Sequence, residues 1–297
     1  MVDIPVKKYR MRRARKWLKK KLVPFSMRAA GVSAKWNRSD LAGFPPASPD
    51  GVPDLARCEY SWLSQNGEDG IIRYLFEQAG YESRWLVEFG FAAHQCNALR
   101  LLVKEGFSGL LIDGSDQNVD FFNFAARKHG IDDRARAIRA FITRDNLNEL
   151  IASSGVPREI DFLSLDVDGN DYWFWESLDC ISPRVVCIEY NAGIGPDLSW
   201  TVGYDDAFQR FSQHPSGFFH GASLAALEAL GKRKGYYLIG CDSTGTNAFF
   251  LRDDVEIEGI PALTAREAYR PHANWLGRGI SEAEQLEIMR TMPYEEV

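Results

Sequence analysis

The sequence predicts an α/β fold, an open and mostly parallel sheet of seven strands with helices between them and a reversed last strand. From Ser61 onward, short runs rich in Val, Ile, Leu and Phe alternate with helix-like segments, the pattern of β-then-α units that build a parallel sheet. The last two runs, Tyr236–Cys241 and Ala248–Leu251, are joined by only six residues, Asp242–Asn247. That is too short for a parallel crossover, so the last strand must run antiparallel to its neighbour.

The elements follow in order. Lys7–Val23 reads as a basic helix carrying Trp17, Leu18, Leu22 and Val23, and Pro24 breaks it. Residues 36–57 hold Pro45, Pro46, Pro49 and Pro53 and read as an extended connection. Ser64-Gln65-Asn66-Gly67-Glu68-Asp69-Gly70 then precedes a helix with apolar residues at Ile71, Ile72, Leu75 and Phe76. Strands are expected at Trp85–Phe89, Leu110–Ile112, Ala135–Ile142, Phe162–Leu165 and Val185–Tyr190. The helices between and after them are Ala98–Lys104, Val119–His129, Asp145–Ser153, Trp173–Leu178 and Ser223–Gly231. A looser insertion covers residues 194–219, and a capping box, Ser281 with Glu284, opens a last helix. The chain thus divides into a basic arm (1–31), an extended connection (32–60), the α/β domain (61–255) and a helical extension (256–297).

Charge is unevenly placed. Residues 1–31 hold eleven Lys and Arg against Asp3 alone, while the rest of the chain carries 24 basic and 40 acidic residues. An acidic body argues against sequence-wide nucleic-acid binding, because such proteins usually present a basic face. The arm, with its large apolar residues, suits an anionic membrane surface or an acidic partner, or is a solvated tail; a transit peptide is a weaker option, since the segment is Arg-rich and poor in acids but has little Ser. Five cysteines without CxxC spacing read as free thiols in a reducing compartment. No apolar run is long enough to span a bilayer and the basic start is not followed by an apolar signal region. The expected location is therefore cytoplasmic, at most peripheral at the inner membrane face.

The ends of the strands carry the chemistry, because open α/β sheets bind ligands at their carboxyl edge. Gly90 follows the first strand and lets backbone approach a ligand. Asp113 ends the second, placed to accept ribose hydroxyls as dinucleotide sites do. The intervening loop, Gly90-Phe91-Ala92-Ala93-His94-Gln95, lacks the GxGxxG cradle for a pyrophosphate. An adenosine ligand without phosphates fits better, and S-adenosylmethionine is the obvious one.

Ser64-Gln65-x-Gly67-Glu68-Asp69-Gly70, Val87-Glu88-Phe89-Gly90, Asn97, Ile112-Asp113-Gly114 and Phe162-Leu163-Ser164-Leu165-Asp166-Val167-Asp168-Gly169-Asn170 resemble the FkbM-type S-adenosylmethionine-dependent methyltransferases. The resemblance runs from about Ser61 to Arg252 and implies the class I, Rossmann-like methyltransferase fold. It also implies a cofactor site. Gly90 and Asn97 would lie along the methionine, Gln65 would reach its carboxylate and Asp113 would take the ribose. Phe141 or Ile142 would flank the adenine and Asp166 would face the sulfonium or the substrate. Glu88, Phe91 and Gly114, in the matching strand ends and the loop after the first strand, complete the set.

On the acceptor side, Asp166, Asp168 and Asp171 cluster after one strand, and Glu189 and Asn191 end the next. Oxygens of Asp166, Asp168 and Asn191 make a hard-cation set suited to Mg2+. The expected catalytic residues are Asp166, Asp168 and His220, the histidine as base; His94 is a weaker base candidate. Trp200 and Tyr204 are the expected aromatic wall. The expected reaction is O-methylation of a sugar, glycan or small natural product. N-methylation, an NAD-linked oxidoreductase and a non-catalytic binding module are the alternatives, and a homodimer is left open.

Overall fold

The computed structural model describes residues 25–37 and 54–297. The expected helix Lys7–Val23 and nearly all of the proline-rich connection lie outside the described residues. Nine strands occur among the described residues: β1 (Trp85–Phe89), β2 (Ser108–Asp113), β3 (Ala135–Arg139), β4 (Glu159–Leu165), β5 (Ser182–Glu189), β6 (Trp200–Val202), β7 (Tyr236–Cys241), β8 (Asn247–Arg252) and β9 (Tyr294–Glu296). Seven of them form one sheet in the order β3-β2-β1-β4-β5-β8-β7. β1 to β5 pair in parallel, whereas β8 is antiparallel to both β5 and β7. The fold class expected from the sequence is the one observed.

Alternate residues along each strand feed opposite layers. Leu86, Phe162 and Val185 pack into one apolar layer, while their neighbours Val87, Leu163 and Val186 pack into the other. That two-sided burial is why these strands read as continuous apolar runs. The first layer is covered by α1 (Phe25–Lys35), α2 (Glu68–Ala79), α3 (Leu99–Lys104) and α4 (Asp116–His129). The second is covered by α5 (Leu147–Ala152), α6 (Asp171–Ser177), α7 (Leu224–Lys234) and α8 (Ala265–Ala268).

Three differences from the sequence reading bear on the site. α1 crosses the boundary drawn at residue 31: Ala29, Val32 and Trp36 are buried, and the Trp36 indole Nε1 donates to the Ala93 carbonyl at 3.1 Å. Apolar burial, not the arm's charge, decides the state of residues 25–37. β3 stops at Arg139, short of Ile142; the Ala140 amide still bonds the Asp113 carbonyl at 3.2 Å. The chain then leaves the sheet, carrying Phe141 into the open. Finally, β9 returns to pair antiparallel with β6, so the C-terminal extension ends in a strand that ties down the 194–219 insertion.

Candidate functional site

A cavity of about 610 Å³ opens at the carboxyl ends of β1, β2, β4 and β5, bordered by Gly90, Asp113, Asp166 and Glu189. Its position is the one where parallel sheets place ligands. The loops that form it are held by a small number of buried carboxylates.

The Ser64–Gly70 motif is one such brace. One Asp69 oxygen, Oδ2, accepts the backbone N–H groups of Trp62, Leu63 and Ser64 at 2.8, 2.7 and 2.7 Å, and the Ser64 hydroxyl accepts the Asp69 N–H at 3.0 Å. Burial pushes the Asp69 carboxyl up to about 6. Glu68 accepts from the Asn66 amide N–H and from the side chain of Asn247 on β8. The motif thus folds a tight loop that sets Gln65 and Asn66 on the cavity wall.

Glu88 plays the same part beneath the next loop. It is buried, with its two oxygens accepting the N–H groups of Asn97 at 3.0 Å and Ala98 at 2.8 Å. Desolvation raises its carboxyl to about 7. Asn97 in turn donates to the Ser164 hydroxyl at 3.2 Å and the Cys187 sulfur at 3.7 Å. Glu88, Ser164 and Cys187 stand in register across β1, β4 and β5. Both residues line the cavity, but their polar atoms hold the loop, so their part is positioning.

Gly90 is required twice over. Its φ is +69°, and a Cβ there would lie 1.7 Å from the main-chain oxygen of Asp166. The close approach of the loop after β1 to the end of β4 is what brings the two halves of the cavity together. Asp113 accepts from the Phe91 N–H at 3.2 Å and the Ser115 N–H at 2.7 Å, fixing the loop against the start of α4. Asn118 ties the Phe91 carbonyl at 2.7 Å. The Phe91 ring itself is buried against Phe122. Opposite, Phe141 is 70% exposed, and its ring lies over Gly114, where a Cβ would meet it at 3.3 Å. An exposed phenyl face flanking a carboxylate-bearing strand end is a natural stacking surface for a planar base.

The DVDGND segment divides by role. The two oxygens of buried Asp171 accept the N–H groups of Val167 at 2.8 Å and Gly169 at 2.9 Å, closing the loop. Gly169 leaves room for the Phe208 ring, which a Cβ would meet at 2.2 Å. Asp166 and Asp168 remain to face the cavity. Asp168 holds a left-handed φ of +60°, uncommon for a residue with a Cβ.

Asp166, Asp168 and Glu189 bring carboxylate oxygens within 4.8 Å of one another. Desolvation raises Asp166 and Glu189 well above the usual carboxylate range, and repulsion among the acids raises them further. Arg210 enters this cluster from the insertion, donating to Asp168 at 2.7 Å and Glu189 at 3.4 Å. Its charge pulls both raised carboxyls partly back down.

Several expectations for the acceptor side need correction. Asn191 is not with the acids: it is buried, its amide donating to the Phe218 and His220 carbonyls at 2.9 Å and accepting the Gly193 N–H at 3.1 Å. Glu189 takes its place in the cluster. The positive charge among these oxygens is the Arg210 guanidinium, so the Mg2+ expected from the sequence has no support in this arrangement. His220 is also displaced. It is buried outside the cavity lining, with Nδ1 at 3.9 Å from Glu189 Oε2 and neither ring nitrogen hydrogen-bonded. Burial drives its pKa well below 6.5, so Glu189, not His220, presents the titratable group to the cavity. His94 is exposed and outside the lining.

Trp200 stacks on Tyr294 at 5.9 Å, and the Tyr204 hydroxyl accepts the Arg144 N–H at 2.7 Å. Neither borders the cavity; Phe208 does, together with Asp206 and Arg210 from the same insertion. Arg210 was missed altogether. The available signal was that it is the sole Lys or Arg in residues 194–219.

Neither a protein-family model nor a curated protein matches the chain. Among solved structures it is similar to an O-methyltransferase from Bacillus cereus in complex with S-adenosylhomocysteine, at 14% identity and a TM-score of 0.42 over 80% of this chain and 94% of that one. It is also similar to the N-terminal domain of EvdMO1 with S-adenosylhomocysteine bound, at 14% identity and 0.43 over 76% and 92%. A methyltransferase from Geobacter sulfurreducens matches at 13% identity and 0.39 over 81% and 95%.

Proposed function

We propose that the chain is an S-adenosylmethionine-dependent methyltransferase acting on a hydroxyl of a polyhydroxylated acceptor, a sugar, glycan or small natural product. The observation that carries the reading is the charge of the cavity. Its lining includes Glu68, Glu88, Asp113, Asp166, Asp168, Glu189 and Asp206, and among the described residues its only Lys or Arg is Arg210. Even with the raised carboxyls protonated, such a wall repels a pyrophosphate and attracts a sulfonium. The NAD-linked alternative is disfavoured on that ground as well as by the loop sequence.

The residues fit such a cofactor. Asp113 would take the ribose, Phe141 the adenine face, and Gln65 and Gly90 the methionine end, with Asn97 positioning the loop beside it. When bound, the cofactor supplies an electrophilic methyl group. The chain's own part is to hold an acceptor oxygen in line with it, which orientation alone can make fast. Asp166 and Glu189, beside Arg210, are placed to accept the acceptor's hydroxyl proton in their ionised forms, which their raised pKa values make the stronger bases. Carboxylate oxygens and Arg210 together suit sugar hydroxyls, which donate and accept at every carbon.

The test is calorimetric titration of S-adenosylhomocysteine, with NAD as comparison, on the intact chain and on Asp113→Ala. Binding of the first, weakened about tenfold or more in the variant through loss of charge-assisted hydrogen bonds, supports the reading. Binding of NAD alone, or of neither, overturns it.

A further inference from the structure

Glu189 ends β5 on the cavity wall, and only one of its two oxygens has a partner. Oε1 accepts from Arg210 at 3.4 Å, while Oε2 is buried without a hydrogen bond among the described residues. His220 Nδ1 lies 3.9 Å from that oxygen, and both nitrogens of its ring are buried and unpaired as well. Folded proteins rarely leave such groups alone, because each has given up its hydrogen bonds to water.

The loop that carries His220 is firmly held. Asn191, two residues beyond Glu189, donates from its side chain to the carbonyls of Phe218 and His220, both at 2.9 Å. Its main-chain N–H bonds the Ala222 carbonyl at 2.7 Å, and the Val202 N–H bonds the Gly221 carbonyl at 3.0 Å. Trp275 stands edge-on to the imidazole with ring centroids 6.2 Å apart. The chain just past β5 therefore sets His220 behind Glu189. A separation of 3.9 Å exceeds a hydrogen bond by about 1 Å. A turn of the Glu189 side chain closes that gap, and contacts of this kind tighten when a site fills.

The position of the ring proton follows by counting. Burial, the Arg210 charge and His272 all disfavour a second proton, so the ring is neutral and carries a single N–H. With that proton on Nδ1 and Glu189 ionised, Nδ1 and Oε2 pair, and only the Nε2 lone pair is left over. With it on Nε2, two lone pairs face each other and a buried N–H is stranded.

We infer that His220 is a positioning residue for Glu189: its Nδ1–H donates to Oε2 and holds the carboxylate with Oε1 turned to Arg210 and the cavity. The hydrogen bond stands whatever ligand the cavity takes, while its consequence for proton transfer rests on the methyltransferase reading. On that reading, a base with one oxygen tied back offers the other to the acceptor hydroxyl in a single direction.

Two measurements on the full chain test this, and neither needs a cofactor or an acceptor. Long-range 1H–15N correlation, with His220 assigned through its own side-chain carbons, should show the Nδ1–H tautomer. Carboxyl-13C titration should then place the Glu189 midpoint about one to two pH units higher in His220→Leu. A donor to the ionised form is lost there, and a charge-assisted hydrogen bond is worth about that much. The charged groups facing Glu189 are Asp166, Asp168, Asp171 and Arg210, and Arg210 and His272 face His220; all stay in place. His220→Asn keeps a donor near the Nδ1 position and should titrate close to the parent, whereas His220→Gln, whose amide nitrogen falls near Nε2, should follow His220→Leu. An Nε2–H tautomer in the parent overturns the inference, as does an unmoved Glu189 midpoint in His220→Leu. The tautomer is read on the parent protein, so it decides the matter even where a variant fails to fold. Failure to bind S-adenosylhomocysteine bears on the cofactor reading alone.

Discussion

Replacing Gly90 by alanine tests the contact on which the cavity depends. Two costs can be separated. The left-handed φ of +69° costs about 1–2 kcal/mol once a Cβ is present. The second cost is steric, because that Cβ would lie 1.7 Å from the Asp166 carbonyl oxygen. A relaxed carbon–oxygen contact is about 3.3 Å, so roughly 1.5 Å must be opened. The two backbones are pinned on either side: the Gly90 N–H bonds the Ile112 carbonyl at 3.0 Å and the Asp166 N–H bonds the Phe89 carbonyl at 3.1 Å. Opening the gap stretches one of these, worth about 1 kcal/mol. A total of about 2–3 kcal/mol follows, or roughly 4–12 °C in melting temperature for a domain of this size.

The functional effect is larger than the thermal one. A displacement of about 1 Å can cost about a hundredfold in rate, and the loop carrying Phe91 moves relative to Asp166. S-adenosylhomocysteine titration and melting curves of Gly90→Ala should be read beside Gly155→Ala. Gly155 has φ +76° with open space around its Cβ position, so only the conformational cost applies there. If Gly90→Ala melts like Gly155→Ala and binds as tightly as the parent, the close approach of β1 and β4 is not what builds the site.

Two further outcomes follow from the same geometry. Asp69→Ala leaves three backbone N–H groups without their shared acceptor and should cost about 3 kcal/mol or more in urea unfolding, with Asp69→Asn losing less; a loss near zero would show that water replaces the carboxylate. For pH dependence, Asp166 and Glu189 are protonated at low pH and gain their charge only above the usual carboxylate range. Turnover should therefore rise with pH along a limb displaced upward from about 4. Arg210→Met removes a cation that lowers both groups and should shift that limb further up; an unmoved limb in the kcat/KM profile would remove the cluster from the proton transfer.

The sheet was legible because its signals are local and redundant. Trp85–Phe89 and Tyr236–Cys241 were bounded correctly from apolar runs ended by Gly90 and Asp242, and the short Asp242–Asn247 link dictated the reversed strand. Gly90, Asp113, Phe141 and Asp166 were placed on the cavity for the same reason: each sits within a few residues of a strand end, so strand position fixes its location. The acceptor half was legible only at its strand ends, where Asp166, Asp168 and Glu189 meet. Arg210 and Phe208 reach the site from the insertion, and β9, roughly eighty residues later in the chain, helps to hold that insertion in place. No local pattern reports such a pairing. Asn191 and His220 failed for a different reason. Both follow strand-like or loop-like signals near the right edge, but sequence does not report which face of a bend a side chain takes, and both turn into the protein.

The arrangement of charge gives that division a physical sense. Buried acids at Glu88, Asp69 and Asp171 each bind backbone N–H groups, an arrangement in which ionisation is held back by desolvation and favoured by the hydrogen bonds. They fix loops and leave little net field. Asp166 and Glu189 lack such a set of backbone donors, and their neighbours of like charge make ionisation harder. Arg210 offsets this, and it stands on the insertion, whose approach to the site the sequence did not report. On the proposed reading the strand ends would hold the adenosine ligand, while the insertion sets the charge on the groups that would meet the acceptor. Changes in residues 194–219 should alter acceptor choice and pH dependence while leaving the ligand-holding half in place.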